Sequence, residues 1–214
     1  AFPVACFHFQ EYNFSKDLNE RLPAILLIIV AFIIPVTAVK RRNMLMYFSA
    51  SALAGFEIIA LLMIQTAAGN MYQLTGLTIA VVMAGIAAGA GTGGFFPGKS
   101  GFRMKVFFLA LWYLAIALSY SLFLTGRGTF FPVLAILLAA AVPSFITGNI
   151  FRELTSGTIQ NEGAGATYSA DLAGSALGFI ILSGVAVPAF GIRNSIILLS
   201  LLIFAGIIFG TRSK

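Results

Sequence analysis

The stretch SALAGFEIIALLMIQ, residues 51–65, is almost wholly apolar, yet Glu57 lies at its centre. The apolar run around it, residues 44–67, is long enough to cross a bilayer core of about 30 Å, which takes about 20 helical residues. An ionised carboxylate at mid-membrane depth costs at least ~2.5 kcal/mol on insertion scales. The stretch therefore predicts a membrane helix whose acid faces protein or water rather than lipid.

The composition of the whole chain agrees with this reading. Of 214 residues, 59% are hydrophobic and only 9% are charged, whereas soluble domains carry about 25% charged residues. Too few charges remain to cover a water-facing surface, so we expect a polytopic membrane protein. The net charge of +6 does not indicate nucleic acid, because the basic residues lie at helix ends rather than in a patch with interleaved aromatics.

Seven apolar runs each have the length of a membrane span. Short connectors between them predict antiparallel sequential neighbours. We therefore predict an all-α transmembrane bundle of about seven spans over residues 22–214, preceded by an interfacial, aromatic-rich segment at residues 1–21 outside the cytoplasm. The predicted spans are 22–39, 44–67, 71–96, 104–125, 129–151, 164–189 and 192–210.

Lysine and arginine predict the orientation of the bundle, because cytoplasmic loops carry an excess of both. One side of the predicted bundle has nine of them: Lys40, Arg41, Arg42, Lys99, Arg103, Lys105, Arg152, Arg212 and Lys214. The other side has four: Lys16, Arg21, Arg127 and Arg193. The N-terminus is therefore predicted outside and the C-terminus in the cytoplasm.

Glu57 and Gln65 lie eight residues apart in the second span, and Ser49 lies eight residues before Glu57. At this spacing the three are near one face of a helix, and we expect that face to meet protein. Glu57 is then either a carboxylate linked to protons or substrate, or a buried acid that fixes the packing of neighbouring helices.

Asp171 is the second acid inside a predicted span. Tyr168 and Ser175 are near it by i−3 and i+4 spacing, and Gly174 and Gly178 form a small-xxx-small pair that lets another helix approach closely. The same two interpretations apply here, with packing favoured over chemistry. Neither acid has a lysine or arginine at membrane depth in the sequence to pair with.

Glycine and proline mark two further places. Gly85 and Gly89 are read as a close helix contact. Gly89, Gly91 and Gly94 also match G-x-G-x-x-G, but they end a membrane helix rather than follow a strand, so no dinucleotide site is expected. Pro143 removes a backbone hydrogen bond inside a span, predicts a kink, and frees a carbonyl that could line a cavity.

No motif in the chain predicts a cofactor, a metal site or catalysis. His8 is the single histidine and Cys6 the single cysteine, and no His, Cys and acid cluster has metal-ligand spacing. No nucleophile triad or phosphate-binding loop occurs. The sequence therefore assigns neither a cofactor nor an enzyme activity.

Four stretches resemble the membrane region of the spermidine-synthase-like membrane proteins. They are FSASALAGFEIIAL (48–61), AGIAAGAGTGG (84–94), VPSFITGNIF (142–151) and GATYSADLAGSALGFIILSGVAVPAFG (165–191). Glu57 falls on the acid of the first family motif, and Asp171 on a polar position of the last. The resemblance implies hydrophobic helices that accompany an aminopropyltransferase-like domain. No such domain is among these residues, so any aminopropyl transfer would need one elsewhere.

Three functions remain open from the sequence. The favoured one is a membrane module, multi-pass in a prokaryotic cell membrane, that anchors or docks a catalytic or electron-transfer partner. Such a module would meet other subunits or a second copy, with residues 1–21 as the contact for an extracytoplasmic partner. The alternative is a transporter-like module that moves a small solute or protons by means of Glu57 and Asp171. The third is a bundle that receives an apolar substrate for a missing catalytic domain.

Overall fold

The computed structural model describes residues 23, 25–32, 39, 43–69, 71–92, 99–124, 130–156 and 161–210. Within these ranges the regular structure is helical, and no strand occurs. The helices are α1 (Met44–Ala68), α2 (Met71–Gly91), α3 (Lys99–Leu118), α4 (Tyr120–Leu124), α5 (Phe130–Ser156), α6 (Asn161–Ile181) and α7 (Val187–Gly210), with a π-helical segment, Leu182–Ala186, between the last two. Residues 25–32 are also helical.

Among the described residues, four helical stretches are long and apolar enough to cross a membrane. They are Met44–Ala68, Leu74–Gly91, Phe130–Ser156 and Ala164–Ile208. A shorter apolar helix, Met104–Leu118, accompanies them. The predicted all-helical fold is thus confirmed and is consistent with a membrane protein, while the count of seven spans and the orientation of the termini remain predictions. Part of the first predicted span, and the whole segment 1–21, lie outside the described residues.

Gly191 divides the last of these four stretches. The stretch has 45 residues, about 67 Å of α-helix, which is twice the core of a bilayer. Gly191 has φ 77° and ψ 169°, outside any helical conformation, in a region that only glycine occupies readily. The helix resumes after Gly191, and Ser195 donates from Oγ to the Gly191 carbonyl at 2.8 Å. The chain therefore changes direction at Gly191, at the predicted boundary between the last two spans.

Helix α1 lies at the centre of the bundle, because every residue from Met44 to Phe56 is buried. Its contacts with α6 show the relative direction of the two helices. Gly174 lies against the carbonyl of Tyr47, and Gly178 against the carbonyl of Ser51. Both residue numbers increase together, so α1 and α6 run parallel.

A second parallel pair is formed by α2 and α5. Gly85 lies against Ala141 and Ser144, and Gly89 against Phe145. Gly148 of α5 fits in turn against the backbone of Ile86. Both pairs depend on glycines that bring two backbones together, which is how helices associate in lipid, where no hydrophobic force draws them to each other.

The remaining contacts are antiparallel. On α7, Leu199 lies near Gly55 and Gly206 near Phe48, so α7 runs opposite to α1. Ser200 donates from Oγ to the Ala110 carbonyl at 2.9 Å, and the rings of Phe107 and Phe204 meet at 6.4 Å. Their numbers run in opposite order, so α3 is antiparallel to α7.

Helix α3 is also antiparallel to α5. Trp112 donates from Nε1 to the Ala139 carbonyl at 3.1 Å, while Lys105 donates from Nζ to Asn149 Oδ1 at 2.6 Å. Taken together, the contacts give α1, α3 and α6 one direction and α2, α5 and α7 the other. Sequential neighbours among the long helices are antiparallel, as the short connectors predict.

These directions make two three-helix units of opposite orientation. The first unit is α1, α2 and α3, and the second is α5, α6 and α7 with the π segment. The first helix of each unit packs against the middle helix of the other, as α1 does with α6 and α5 does with α2. The third helices, α3 and α7, pack against each other. These three pairings are those expected of an inverted repeat, although α1 packs more extensively against α7 than α5 does against α3.

Candidate functional sites in the bundle

Glu57 lies near the middle of α1 and is half-buried. Its neighbour Phe56 is buried and meets the ring of Tyr113 on α3 at 5.3 Å. One residue is about 100° of helical turn, so Glu57 lies well round the helix from this contact. It is also about 80° from the Tyr47 side that meets α6. Glu57 therefore lies beside the packed faces of α1, with part of its surface open.

The other two members of the predicted polar stripe differ from Glu57. Ser49 is fully buried, and Gln65 is half-buried near the far end of α1. The exposed fraction thus increases along the helix, because α1 is enclosed up to Phe56 and partly open beyond it. The stripe does not form one continuous polar surface.

The residues around Asp171 also differ in how far they are exposed. Tyr168 is 54% exposed, whereas Asp171 and Ser175 are half-buried. Thr167 is buried and donates from Oγ1 to Asn43 Oδ1 at 3.2 Å. Asp171 therefore lies at the border between the surface that packs on α1 and the open surface that carries Tyr168.

Glu57 and Asp171 are at different depths. The contacts of α1 place Gly55 level with Leu182, so Glu57 is level with residue 184, thirteen residues beyond Asp171. At 1.5 Å per residue this is about 20 Å along the bundle. One site that contains both carboxylates, as the transporter hypothesis assumes, does not fit this separation.

The four glycines predicted to mediate packing all lie at parallel helix pairs. Gly174 and Gly178 are against α1, and Gly85 and Gly89 against α5. The two pairs also have the same sequence pattern, Ala-Gly-x-Ala-x-Gly, at residues 84–89 and 173–178. Each pattern is on the middle helix of its unit. The sequence contains this repeat, but only the packing shows that the two glycine pairs are equivalent.

Pro143 lies inside α5, which continues through it. Because proline has no N–H, the carbonyl four residues earlier loses its helical donor. That carbonyl belongs to Ala139, and Trp112 of α3 donates to it. The freed carbonyl thus joins two helices rather than lining an open polar cavity. Ser144 donates from Oγ to Ala140 within the helix at 2.7 Å.

The structure also contains a partly buried ionic cluster that the sequence does not predict. Lys105 of α3 is 5% exposed and donates from Nζ to Glu153 Oε2 at 2.8 Å, as well as to Asn149. From the sequence, Lys105 is only an orientation signal, and Glu153 lies between the predicted spans 129–151 and 164–189. A signal was present, because Asn149 and Glu153 are four residues apart and therefore share a helix face.

The cluster also holds the end of α2. Asn149 donates from Nδ2 to the carbonyls of Gly89 at 3.1 Å and Thr92 at 3.3 Å. Arg152 donates from Nη1 to the Gly91 carbonyl at 3.1 Å. The last carbonyls of a helix have no donor within it, so α5 supplies the donors that α2 lacks. Three helices, α2, α3 and α5, are joined at this end of the bundle.

Four buried hydroxyls make no hydrogen bond among the described residues. They are those of Tyr47, Ser49, Tyr113 and Thr147. Ser49 and Thr147 are on the first helices of the two units. Their depths can be compared through α7 and α3. Phe48 of α1 contacts Gly206 of α7, and Phe204 of α7 contacts Phe107 of α3. Lys105 of α3 in turn contacts Asn149 of α5, so Ser49 and Thr147 lie at comparable depth. A buried hydroxyl without a partner is costly, which makes this level of the bundle a candidate for polar ligands.

No protein-family model, no curated protein and no solved structure matches this chain. In the part of the chain that the structure describes, no three His, Cys, Asp or Glu side chains are grouped so that they could hold a metal ion.

Proposed function

We propose that this chain is a transporter-like membrane module built from two inverted three-helix units, with its transport site between α1 and α5. The observation that carries the proposal is the repeated contact between the first helix of each unit and the Ala-Gly-x-Ala-x-Gly helix of the other. Inverted repeats of three helices occur within the six-helix halves of one large class of secondary transporters.

Glu57 and the orphan hydroxyls support a site between the units. Substrate sites in inverted-repeat transporters lie near the midplane at the repeat interface, and Glu57 lies near the middle of α1. Ser49 and Thr147 belong to the two equivalent helices, α1 and α5, and lie about two turns from Glu57 towards the end that Lys105 and Asn149 join. Intramembrane acids commonly belong to ion or substrate pathways. Asp171 is on α6, about 20 Å along the bundle from Glu57, so it is not part of a site between α1 and α5 that contains Glu57.

Proton flux in proteoliposomes tests the proposal. The full chain is reconstituted with a pH-sensitive dye inside the vesicles, and an imposed pH gradient is followed over time. The proposal expects flux with the wild-type chain and at least a ten-fold loss with Glu57→Gln, while helicity and the unfolding midpoint stay unchanged. Absence of flux from the wild type, or full flux with Glu57→Gln, contradicts it.

A matched control separates the acid at the site from the other intramembrane acid. Asp171→Gln and Glu57→Gln both replace a half-buried carboxyl by an amide. The site as described includes only Glu57, so Asp171→Gln keeps most of the flux. An equal loss in both variants would contradict the placement of the site between α1 and α5.

The second candidate is the anchoring or docking module, which the partly buried ionic cluster favours. Lys105 forms an ion pair with Glu153, and side chains of α5 donate to the last carbonyls of α2. These bonds hold α2, α3 and α5 together at this end of the bundle, as expected of a rigid scaffold. In that case Glu57→Gln changes only the unfolding midpoint. The resemblance to spermidine-synthase-like membrane proteins belongs with this candidate and is carried by the sequence motifs alone.

A further inference from the structure

A cavity of about 550 Å³ lies between α3 and α5, apart from the proposed transport site. Its walls are mainly apolar side chains: Met104, Phe107, Phe108, Leu111, Val142, Phe145 and Ile146. The volume is in the range of roughly 300–1,000 Å³ that is usual for ligand pockets. The cavity is therefore large enough for an organic ligand rather than a single water molecule.

Two hydrogen bonds between the helices mark the length of this cavity. Lys105 and Asn149, which also line it, are joined at one end, and Trp112 is joined to Ala139 beyond Leu111 towards the other. The helices are thus held together at both ends and leave space between them. This makes the cavity a feature of the helix pair rather than a chance gap between loosely packed side chains.

The chemistry of the lining selects an apolar ligand. The polar groups of Lys105 and Asn149 are hydrogen-bonded to each other, to Glu153 and to the end of α2. The groups left to contact a ligand are therefore hydrocarbon and aromatic. This lining offers a water molecule too few polar partners to hold it. An empty cavity also deprives its walls of dispersion contacts that a close-fitting hydrocarbon would restore.

The position of the cavity indicates where such a hydrocarbon comes from. Phe107, Phe108, Met104 and Leu111 are each about half exposed, on a helix of a membrane-type bundle. The lining runs from Met104 to Leu111 on α3, about 11 Å of helix. One leaflet of a bilayer core is about 15 Å deep, so the cavity has the length of much of one acyl chain.

We propose that the cavity between α3 and α5 binds one acyl chain of a membrane phospholipid, which acts as a resident lipid that completes the packing of the two helices. The site is independent of the proposed transport function. The acyl chain fills space that no side chain of α3 or α5 fills. The two hydrogen bonds between these helices mark the ends of that space.

Lipid retention tests the proposal on the full chain. The protein is purified in detergent with a small molar excess of dioleoyl phosphatidylcholine, and retained phospholipid is counted by native mass spectrometry. One phospholipid per chain is expected for the wild type. Val142→Phe places a ring in the cavity and is expected to reduce retention at least five-fold. Leu138→Phe, which adds a ring on α5 at a 59% exposed residue outside the cavity, is expected to retain it.

Trp112 gives a second readout in a bilayer. It is the single tryptophan of the chain and stacks on Phe108 at 6.1 Å, so its fluorescence reports on the cavity wall. Phosphatidylcholine with brominated acyl chains is expected to quench Trp112 less in Val142→Phe and in Ile146→Phe than in the wild type and Leu138→Phe. The proposal is overturned if the wild type retains no phospholipid, or if retention and quenching are the same in all of these proteins.

Discussion

Gly178 of α6 lies so close to Ser51 of α1 that a methyl group at residue 178 would overlap the Ser51 carbonyl. Gly178→Ala therefore forces the two helices apart. Overpacking of this kind costs typically 1–3 kcal/mol, and we expect a loss of about that size in SDS-titrated unfolding followed by circular dichroism. Gly165→Ala is the matched control, because it lies on the same helix with open space around it.

The inverted repeat extends this prediction to the second unit. Gly89 meets the Phe145 carbonyl as Gly178 meets that of Ser51. Gly89→Ala is therefore expected to cost about 1–3 kcal/mol, whereas Gly76→Ala on the same helix has open space and costs nothing. A marked difference between Gly89→Ala and Gly178→Ala would argue that the two contacts are not equivalent.

Two glycines with positive φ are expected to respond differently to the same substitution. Gly69 ends α1 with φ 68° and ψ −13°, a left-handed conformation that asparagine tolerates. Gly191 has ψ 169°, where residues other than glycine cost about 1–3 kcal/mol. Gly69→Asn should keep the unfolding midpoint, and Gly191→Asn should lower it. Equal midpoints would show that the break at Gly191 is not strained for a side chain.

The Trp112–Ala139 hydrogen bond predicts a rescue. Trp112→Phe leaves the Ala139 carbonyl without a donor, and hydrogen bonds between membrane helices are worth about 0.6 kcal/mol on average and up to ~1.7. Pro143→Ala restores the helical N–H that this carbonyl lacks. Trp112→Phe should therefore cost less when Pro143 is already alanine, in a double-mutant cycle measured by circular dichroism. An additive cycle would contradict the role given to the freed carbonyl.

The ionic cluster makes Lys105 and Glu153 energetically coupled. Lys105→Met leaves two acceptors without their donor, which costs about 1–3 kcal/mol. Glu153→Gln removes the charge that pairs with Lys105. The double variant Lys105→Met/Glu153→Gln should therefore lose less stability than the two single variants together, by about 0.5–3 kcal/mol. Arg193→Met, at an exposed residue, is the control and should change stability by less than about 0.5 kcal/mol.

Helix positions followed closely from the apolar runs. The predicted spans 44–67 and 129–151 correspond to Met44–Ala68 and Phe130–Ser156, because length and hydrophobicity are local properties. The predicted break between the last two spans falls at Gly191 for the same local reason. Within the predicted span 71–96, α2 ends at Gly91, and residues 93–96 lie outside the described residues.

The relations between helices were not predictable in the same way. Which helices pair in parallel depends on contacts between residues about 60 to 130 positions apart, such as Gly89 with Phe145 or Gly174 with Tyr47. The pairing of Lys105 with Glu153 depends likewise on the antiparallel packing of α3 and α5. The sequence marked these residues as small or charged, but only the three-dimensional arrangement shows which partner each one meets.

The central claim, two inverted units with parallel α1–α6 and α2–α5 pairs, is tested most directly by disulfide cross-linking in the full chain with Cys6→Ser. The claim predicts rapid cross-linking of Asn43→Cys with Thr167→Cys, whose side chains meet at 3.2 Å, and of Thr92→Cys with Asn149→Cys. Disulfides need Cα atoms within about 7 Å. Cross-linking of Asn43→Cys with Arg193→Cys instead, at the opposite end of α7, would contradict it.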